Sequence, residues 1–346
     1  MKTEERLNYI DCAKGIGILL VVITHHIKDF DSIIWWALSF HMPLFFMISG
    51  LLYEFNNKKQ KFKDVLTSGV KNLMWPFFTF STIVILWWVV YSFIFKTQPE
   101  EPLTNIIIRT ITTYGFHALW FLPTLFLVSL TSKSYKWNNR CLLLVGSIIV
   151  GCLFSYITDP EKYDFGYWRY VFIYIGRFAI ALSFVELGRY LYKIIKQINN
   201  KVLWIVLVVS MILSLLLYRE NILVSMAFSR MGNPIIYYIN AISGSLLVLL
   251  ISKKISKFRI GRMLCFWGKN SLITMALHMD ISIEIAWMIA GITKLSTILA
   301  LRYTSMVVIL IELVILVFMI LFINRWGTFM IRFPKLDRAL KLSKEK

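Results

Sequence analysis

The chain has 346 residues, of which 58% are hydrophobic and only 16% charged. Soluble domains are about 45–50% apolar, so the excess has to face lipid, and a string of soluble domains is excluded. The net charge of +19 would suggest a nucleic-acid partner in a soluble protein. Here the basic residues sit in short loops between apolar runs, which points to membrane topology and membrane lipid, with no nucleic-acid partner.

A helical span needs roughly 20 mostly apolar residues. About ten such runs follow one another, at 10–27, 33–55, 73–95, 116–130, 141–157, 170–194, 202–218, 234–251, 263–289 and 298–323. The expected fold is all-α: a polytopic membrane helix bundle over residues 1–324, then a basic tail over 325–346, too charged to insert. One set of loops is rich in base, with Lys58, Lys59, Lys61 and Lys63, then Lys133, Lys136 and Arg140, then Lys253, Lys254, Lys257, Arg259 and Arg262. The alternate loops hold fewer bases, among them Lys96, Arg109, Arg169 and Arg219, and carry the acids Glu100, Glu101, Asp159 and Glu220. The positive-inside rule then puts both termini in the cytoplasm of a multi-pass protein of the cell membrane. Lys2, Glu4, Glu5 and Arg6 precede the first run with no small-residue cleavage site after it, so it reads as a retained span. Cys12, Cys141, Cys152 and Cys265 lack paired spacing and read as small apolar residues, not as a zinc site.

Ionisable groups inside lipid are costly and mark candidate functional positions. In the first span Lys14 and His25 are eleven residues apart, so eleven steps of 100° return the helix to within about 20° of the same face. Their separation along the axis is about 16 Å. Asp11 lies one turn before Lys14, near the same face. An acid–base pair at the cytosolic mouth and an imidazole further in suit a long donor whose anionic part meets Lys14 while its reactive end reaches His25. A neutral imidazole there can take the proton of an attacking hydroxyl. The same residues also fit a snorkelling lysine and an interhelical hydrogen bond.

The second span opens Ser39-Phe-His41-Met-Pro43, where Pro43 is expected to free a carbonyl and kink the helix, and closes on Ser49-Gly50, a close-packing pair. The fourth opens Gly115-Phe-His117-Ala-Leu-Trp120, with His117 and Trp120 on one face. Trp120 either walls a pocket or faces lipid. The ninth carries Lys269-Asn-Ser271 and, near the midplane, His278. Arg177 and Glu186 in the sixth span and Glu312 in the tenth point to a buried ion pair rather than to catalysis. Four of the five histidines map to the outer half, while Lys14, Lys71 and Lys269 supply cationic groups for an anionic donor on the inner side.

The run Arg6-Leu-Asn-Tyr-Ile-Asp11-Cys-Ala-Lys14-Gly15, ending on His25, resembles the opening of the acyltransferase-3 family of membrane O-acyltransferases, which has a basic residue, ten residues and a histidine in its first span. His41-Met-Pro-Leu-Phe-Phe-Met-Ile-Ser-Gly resembles the second-span signature of its fucose 4-O-acetylase-like branch. Leu119-Trp-Phe-Leu-Pro and Gly268-Lys-Asn-Ser-Leu with His278 resemble later motifs in the same order. Another branch has an Asp where this chain has Pro43, so a role carried by that Asp would pass to His41 or Asp11. The resemblance implies acetyl-CoA or a related acyl-CoA as donor, with no metal, and a polysaccharide or lipid-linked sugar as acceptor. It implies that His25 is catalytic and Lys14 important. On the residues themselves His25 reads as a general base or a transient acyl acceptor, Lys14 with Asp11 as orienting it and the donor, and His41, His117, Trp120 and His278 as the acceptor side. Two other readings stay open on the residues alone: a transporter or flippase for a glycan or small solute, and an assembly subunit whose polar groups only pack helices.

Overall fold

The computed structural model describes residues 3–25, 31–56, 60–96, 102–134, 139–159, 163, 165–221, 224–292 and 301–333. His26 and the charged tail beyond residue 333 lie outside the described residues. Helix α1 runs Thr3–Thr24, α2 Asp31–Leu38, α3 His41–Asn56, α4 Phe62–Gly69 and α5 Trp75–Phe95. Then come α6 Leu103–Ile111, α7 Phe121–Ser134, α8 Arg140–Ile157, α9 Trp168–Gln197, α10 Asn200–Leu217 and α11 Pro234–Ile255. The chain continues with α12 Arg259–Lys269, α13 Ser271–Leu277, α14 Ile283–Ile292 and α15 Leu301–Arg325. Among the described residues there is no strand, only one antiparallel bridge between Ser225 and Arg230.

Eight stretches among the described residues are long and apolar enough to cross a bilayer. The charged α1, of 22 residues, precedes them, and the 3₁₀ turn His117–Trp120 running into α7 falls between the second and third. Counting these two makes the polytopic bundle that hydropathy predicts. The run Ile34–Asn56, which contains α3, and helix α9 lie inside, each with 67% of its most apolar stretch buried; α8 with 17% and α10 with 22% turn most of theirs to lipid.

Asparagines start several helices. Asn139 Oδ1 accepts from the amides of Cys141 and Leu142 at 3.1 and 3.2 Å, and Asn233 Oδ1 accepts from Ile235 at 3.0 Å ahead of α11, which opens on Pro234. These are groups that a first helical turn leaves without partners. Two parallel crossings bring backbones into contact. Gly15 sits on the Leu264 carbonyl and Gly268 on that of Asp11, joining α1 to α12. Gly50 sits on Val185 and Gly188 on Met47, joining α3 to α9. Without a hydrophobic drive between helices in lipid, such contact supplies much of the packing energy.

Two expectations are corrected here. The second span breaks at Ser39–Phe40 rather than at Pro43, because Pro43 falls in the first turn of α3, where a missing amide hydrogen costs nothing. The ninth span is not one helix: it is interrupted at Asn270 and again by a π turn at His278–Ser282. A second π turn, Val70–Met74, joins α4 to α5.

The end of the bundle that holds the start of α1 and the close of α15 is termed the terminal end. An ionic network lies there. Glu186, fully buried, accepts from Ser132 Oγ at 2.6 Å and pairs with Arg140 at 3.0 Å. Arg189 pairs with Glu54 at 3.3 Å and donates to the Ser132 carbonyl at 3.0 Å. The network ties α3, α7, α8 and α9 together through groups that would each be costly alone.

Candidate active site

At the opposite end a cavity of about 350 Å³ opens among α1, α3, α9 and α13, within the size range of small-molecule sites. His25, His41, His117 and Trp120, named from three separate stretches of sequence, all line it. His278 stands directly behind, its ring edge-on to that of His25 with centroids 5.0 Å apart. All four described histidines therefore meet at one place. Trp120 faces this cavity rather than lipid, and is nearly buried.

Hydrogen bonds fix the orientation of the imidazoles. His25 Nδ1 lies 2.7 Å from the Val21 carbonyl, His41 Nδ1 2.8 Å from that of Ala37, and His278 Nδ1 2.9 Å from that of Met275. A carbonyl oxygen only accepts, so in each ring Nδ1 carries the hydrogen and Nε2 holds the lone pair in the neutral state. Each bond reaches back three or four residues: Val21 lies in α1 and Met275 in α13, while Ala37 lies in α2, across the break that precedes α3. His278 Nε2 is buried with no hydrogen-bond partner.

His117 is held differently. Its Nδ1 donates to Asp280 Oδ1 at 2.8 Å, and the same oxygen accepts Trp88 Nε1–H at 3.2 Å. Asp280 is 2% exposed and sits in the π turn that interrupts the ninth span, a distortion often found at functional sites. His117 has φ +42°, a left-handed conformation uncommon outside glycine. Two residues earlier Gly115, at φ +84°, lies against the Trp120 backbone with no room for a side chain. The tight 3₁₀ turn still leaves His117 and Trp120 on one side, because residues three apart eclipse in that geometry.

Arg177 was expected to pair with an acid; among the described residues no carboxylate pairs with it. Its Nε and Nη2 donate to the Ala227 carbonyl at 3.1 and 2.6 Å, and Nη1 donates to that of Tyr114 at 2.9 Å. Its guanidinium lies 4.6 Å from the Tyr114 ring centroid and 4.9 Å from that of Trp120. Arg177, Arg109 and Tyr114 all line the cavity, and sequence reasoning did not place them there. The signal was present in the isolated Arg177 within an apolar span. Only the fold shows that the loop before His117 and the segment 224–228 close over it. Asp280 was missed as a partner for His117 because 163 positions separate them.

The other residues singled out lie at the terminal end. Lys14 Nζ is 3.9 Å from Asp11 Oδ1, with both side chains partly exposed. Lys269 is exposed beside the α1–α12 crossing. Lys71 is exposed in the π turn before α5, with its ammonium 5.8 Å from the Phe333 ring. None of these three lysines lines the cavity. Among the described residues no group of His, Cys, Asp and Glu is arranged to hold a metal ion.

Oriented imidazoles gathered at one cavity, one of them on a carboxylate, within a membrane helix bundle form an arrangement able to move protons during group transfer. The model of the acyltransferase-3 family, which describes an acyltransferase domain, matches residues 7–325, and the chain belongs to that family. It is a multi-pass membrane acyltransferase. No curated protein and no solved structure matches it.

Proposed function

We propose that this acyltransferase is an O-acetyltransferase of the cell membrane, of the fucose 4-O-acetylase-like kind. It moves an acetyl or similarly small acyl group from a cytosolic acyl-CoA to a hydroxyl of a cell-surface or lipid-linked carbohydrate. The observation that carries this reading is the convergence of His25, His41 and His117 with Trp120 on one cavity. An aromatic wall suits a sugar ring, and an imidazole with its Nε2 lone pair available to a hydroxyl suits general base catalysis.

In the transfer His25 Nε2 takes the acceptor's hydroxyl proton as the oxygen attacks the thioester carbonyl carbon. The tetrahedral intermediate then expels the thiolate, the C–S bond breaks, and the proton returns from His25 to sulfur. Lys14, set by Asp11, with Lys269 and Lys71 at the same end, supplies positive charge for the donor's phosphates at the terminal end. The loop charges support that end as cytoplasmic.

The test uses inside-out membrane vesicles given acetyl-CoA labelled in its acetyl group. Wild type should pass label into the glycan fraction, and correctly inserted His25→Ala should lose transfer by roughly 10²-fold or more. Wild-type transfer by that variant would rule out His25 as the base. Movement of a glycan or solute with no acyl-CoA requirement would favour a transporter instead.

A further inference from the structure

Arg177 is 98% withdrawn from solvent and permanently charged, yet its recorded partners are two carbonyls and two aromatic faces. Three of its five N–H groups are accounted for, which leaves one on each terminal nitrogen. Lacing Tyr114 and Ala227 to α9 needs donors but not a charge; a neutral amide could serve. A cation held away from water calls for an opposite charge. Among the described residues none is built in: the described cavity wall contains Arg177 and Arg109 and no aspartate or glutamate. Asp280, behind the wall, is already engaged by His117 and Trp88.

We infer that Arg177 receives an anionic group of the acceptor, so the carbohydrate that enters this cavity carries a phosphate or a carboxylate close to the hydroxyl that is acylated. The inference rests on the acetyltransferase reading above and narrows its acceptor. Planar guanidinium against a planar or tetrahedral oxyanion is the arrangement that best uses paired N–H donors. The donor's own phosphates are assigned elsewhere, because Lys14 lies about 16 Å along α1 from His25, at the terminal end. Trp120 and Tyr114, stacked on the guanidinium, would then present a ring face to the sugar beside its charge.

The experiment measures equilibrium binding to the full chain in lipid nanodiscs, with four probes: a hexose 1-phosphate, a hexuronate, the neutral methyl hexoside, and coenzyme A. Wild type should bind one of the two anionic sugars at least about tenfold more tightly than the methyl hexoside. Arg177→Gln should erase that preference, and whichever anionic sugar shows it tells phosphate from carboxylate. Should the glutamine variant not fold by thermal melt, Arg177→Lys, which keeps the charge but not the fork, should cut the preference severalfold. Equal affinity for all three sugars on wild type, no measurable sugar binding, or an unchanged preference in a folded Arg177 variant overturns the inference. So does an Arg177-dependent affinity for coenzyme A without any sugar preference, which would give the anion to the donor. Label transfer in vesicles is a separate readout: transfer to neutral glycans alone sinks this inference and leaves the acyltransferase reading standing.

Discussion

A histidine on a buried carboxylate is the strongest positional statement in the cavity. Asp280 fixes which nitrogen of His117 carries the hydrogen and which way the ring faces, a service that three backbone carbonyls perform for His25, His41 and His278. Asp280→Asn keeps the shape and can still accept from Trp88, but its amide can also turn a donor toward His117 and select the wrong tautomer. Steady-state kinetics with labelled acetyl-CoA should therefore show kcat reduced on the order of 10²-fold with KM for the donor little changed. A raised KM at constant kcat would assign Asp280 to binding instead. The individual histidines and Trp120 were legible in the sequence, because a polar or aromatic residue in an apolar run marks itself. The Asp280 contact was not, since nothing in a one-dimensional pattern pairs residue 117 with residue 280. Nor was the lone state of Arg177: an acid was expected as its partner, and Glu186, nine residues on in the same helix, in fact serves Arg140 and Arg189.

Helices α3 and α9 carry the cavity's deepest wall on one side and the ionic network on the other, and they touch through Gly50 and Gly188. A methyl group added at Gly188 would meet the Met47 backbone, which has no flexible atom to yield. Gly188→Ala should lower the thermal midpoint of the purified protein by an amount corresponding to about 1–3 kcal/mol of overpacking. Gly146→Ala is the control: nothing lies within 4 Å of its added carbon, so its melt should match wild type. Equal melts for the two variants would mean that the crossing is looser than described. Helical periodicity and span length made most elements readable from composition, and the Ser49-Gly50 pair was rightly read as a packing surface. The breaks were harder to see. Ser39–Phe40 and Asn270 carry no strong stop signal, and each π turn adds one residue to a helix without changing its apolar character. Those irregular positions bring His41, His278 and Asp280 to the cavity.

Across the described residues, the imidazoles gather at the cavity end, while Lys14, Lys71 and Lys269 lie at the other. The loop bases support the proposal that the terminal end is cytoplasmic, and single cysteines can test this. Glu220 is exposed beyond α10 at the cavity end, and Lys257 is exposed between α11 and α12 at the terminal end. In intact cells a membrane-impermeant maleimide should label Glu220→Cys, and should reach Lys257→Cys only after permeabilisation. The reverse pattern would invert the topology and, with it, the side on which the acceptor binds.

The ionic network around α9 also bears on how the protein is made. That helix brings Arg177, Glu186 and Arg189 into one span, and a charge at mid-membrane costs about 2.5–3.5 kcal/mol during insertion. The partners of Glu186 and Arg189 come from α3, α7 and α8, all of which leave the ribosome earlier. The sixth span thus enters a membrane where its counter-charges already wait, while Ala227, one of the carbonyls that hold Arg177, is translated afterwards. The order of synthesis is in this way part of what makes so charged a helix tolerable in lipid.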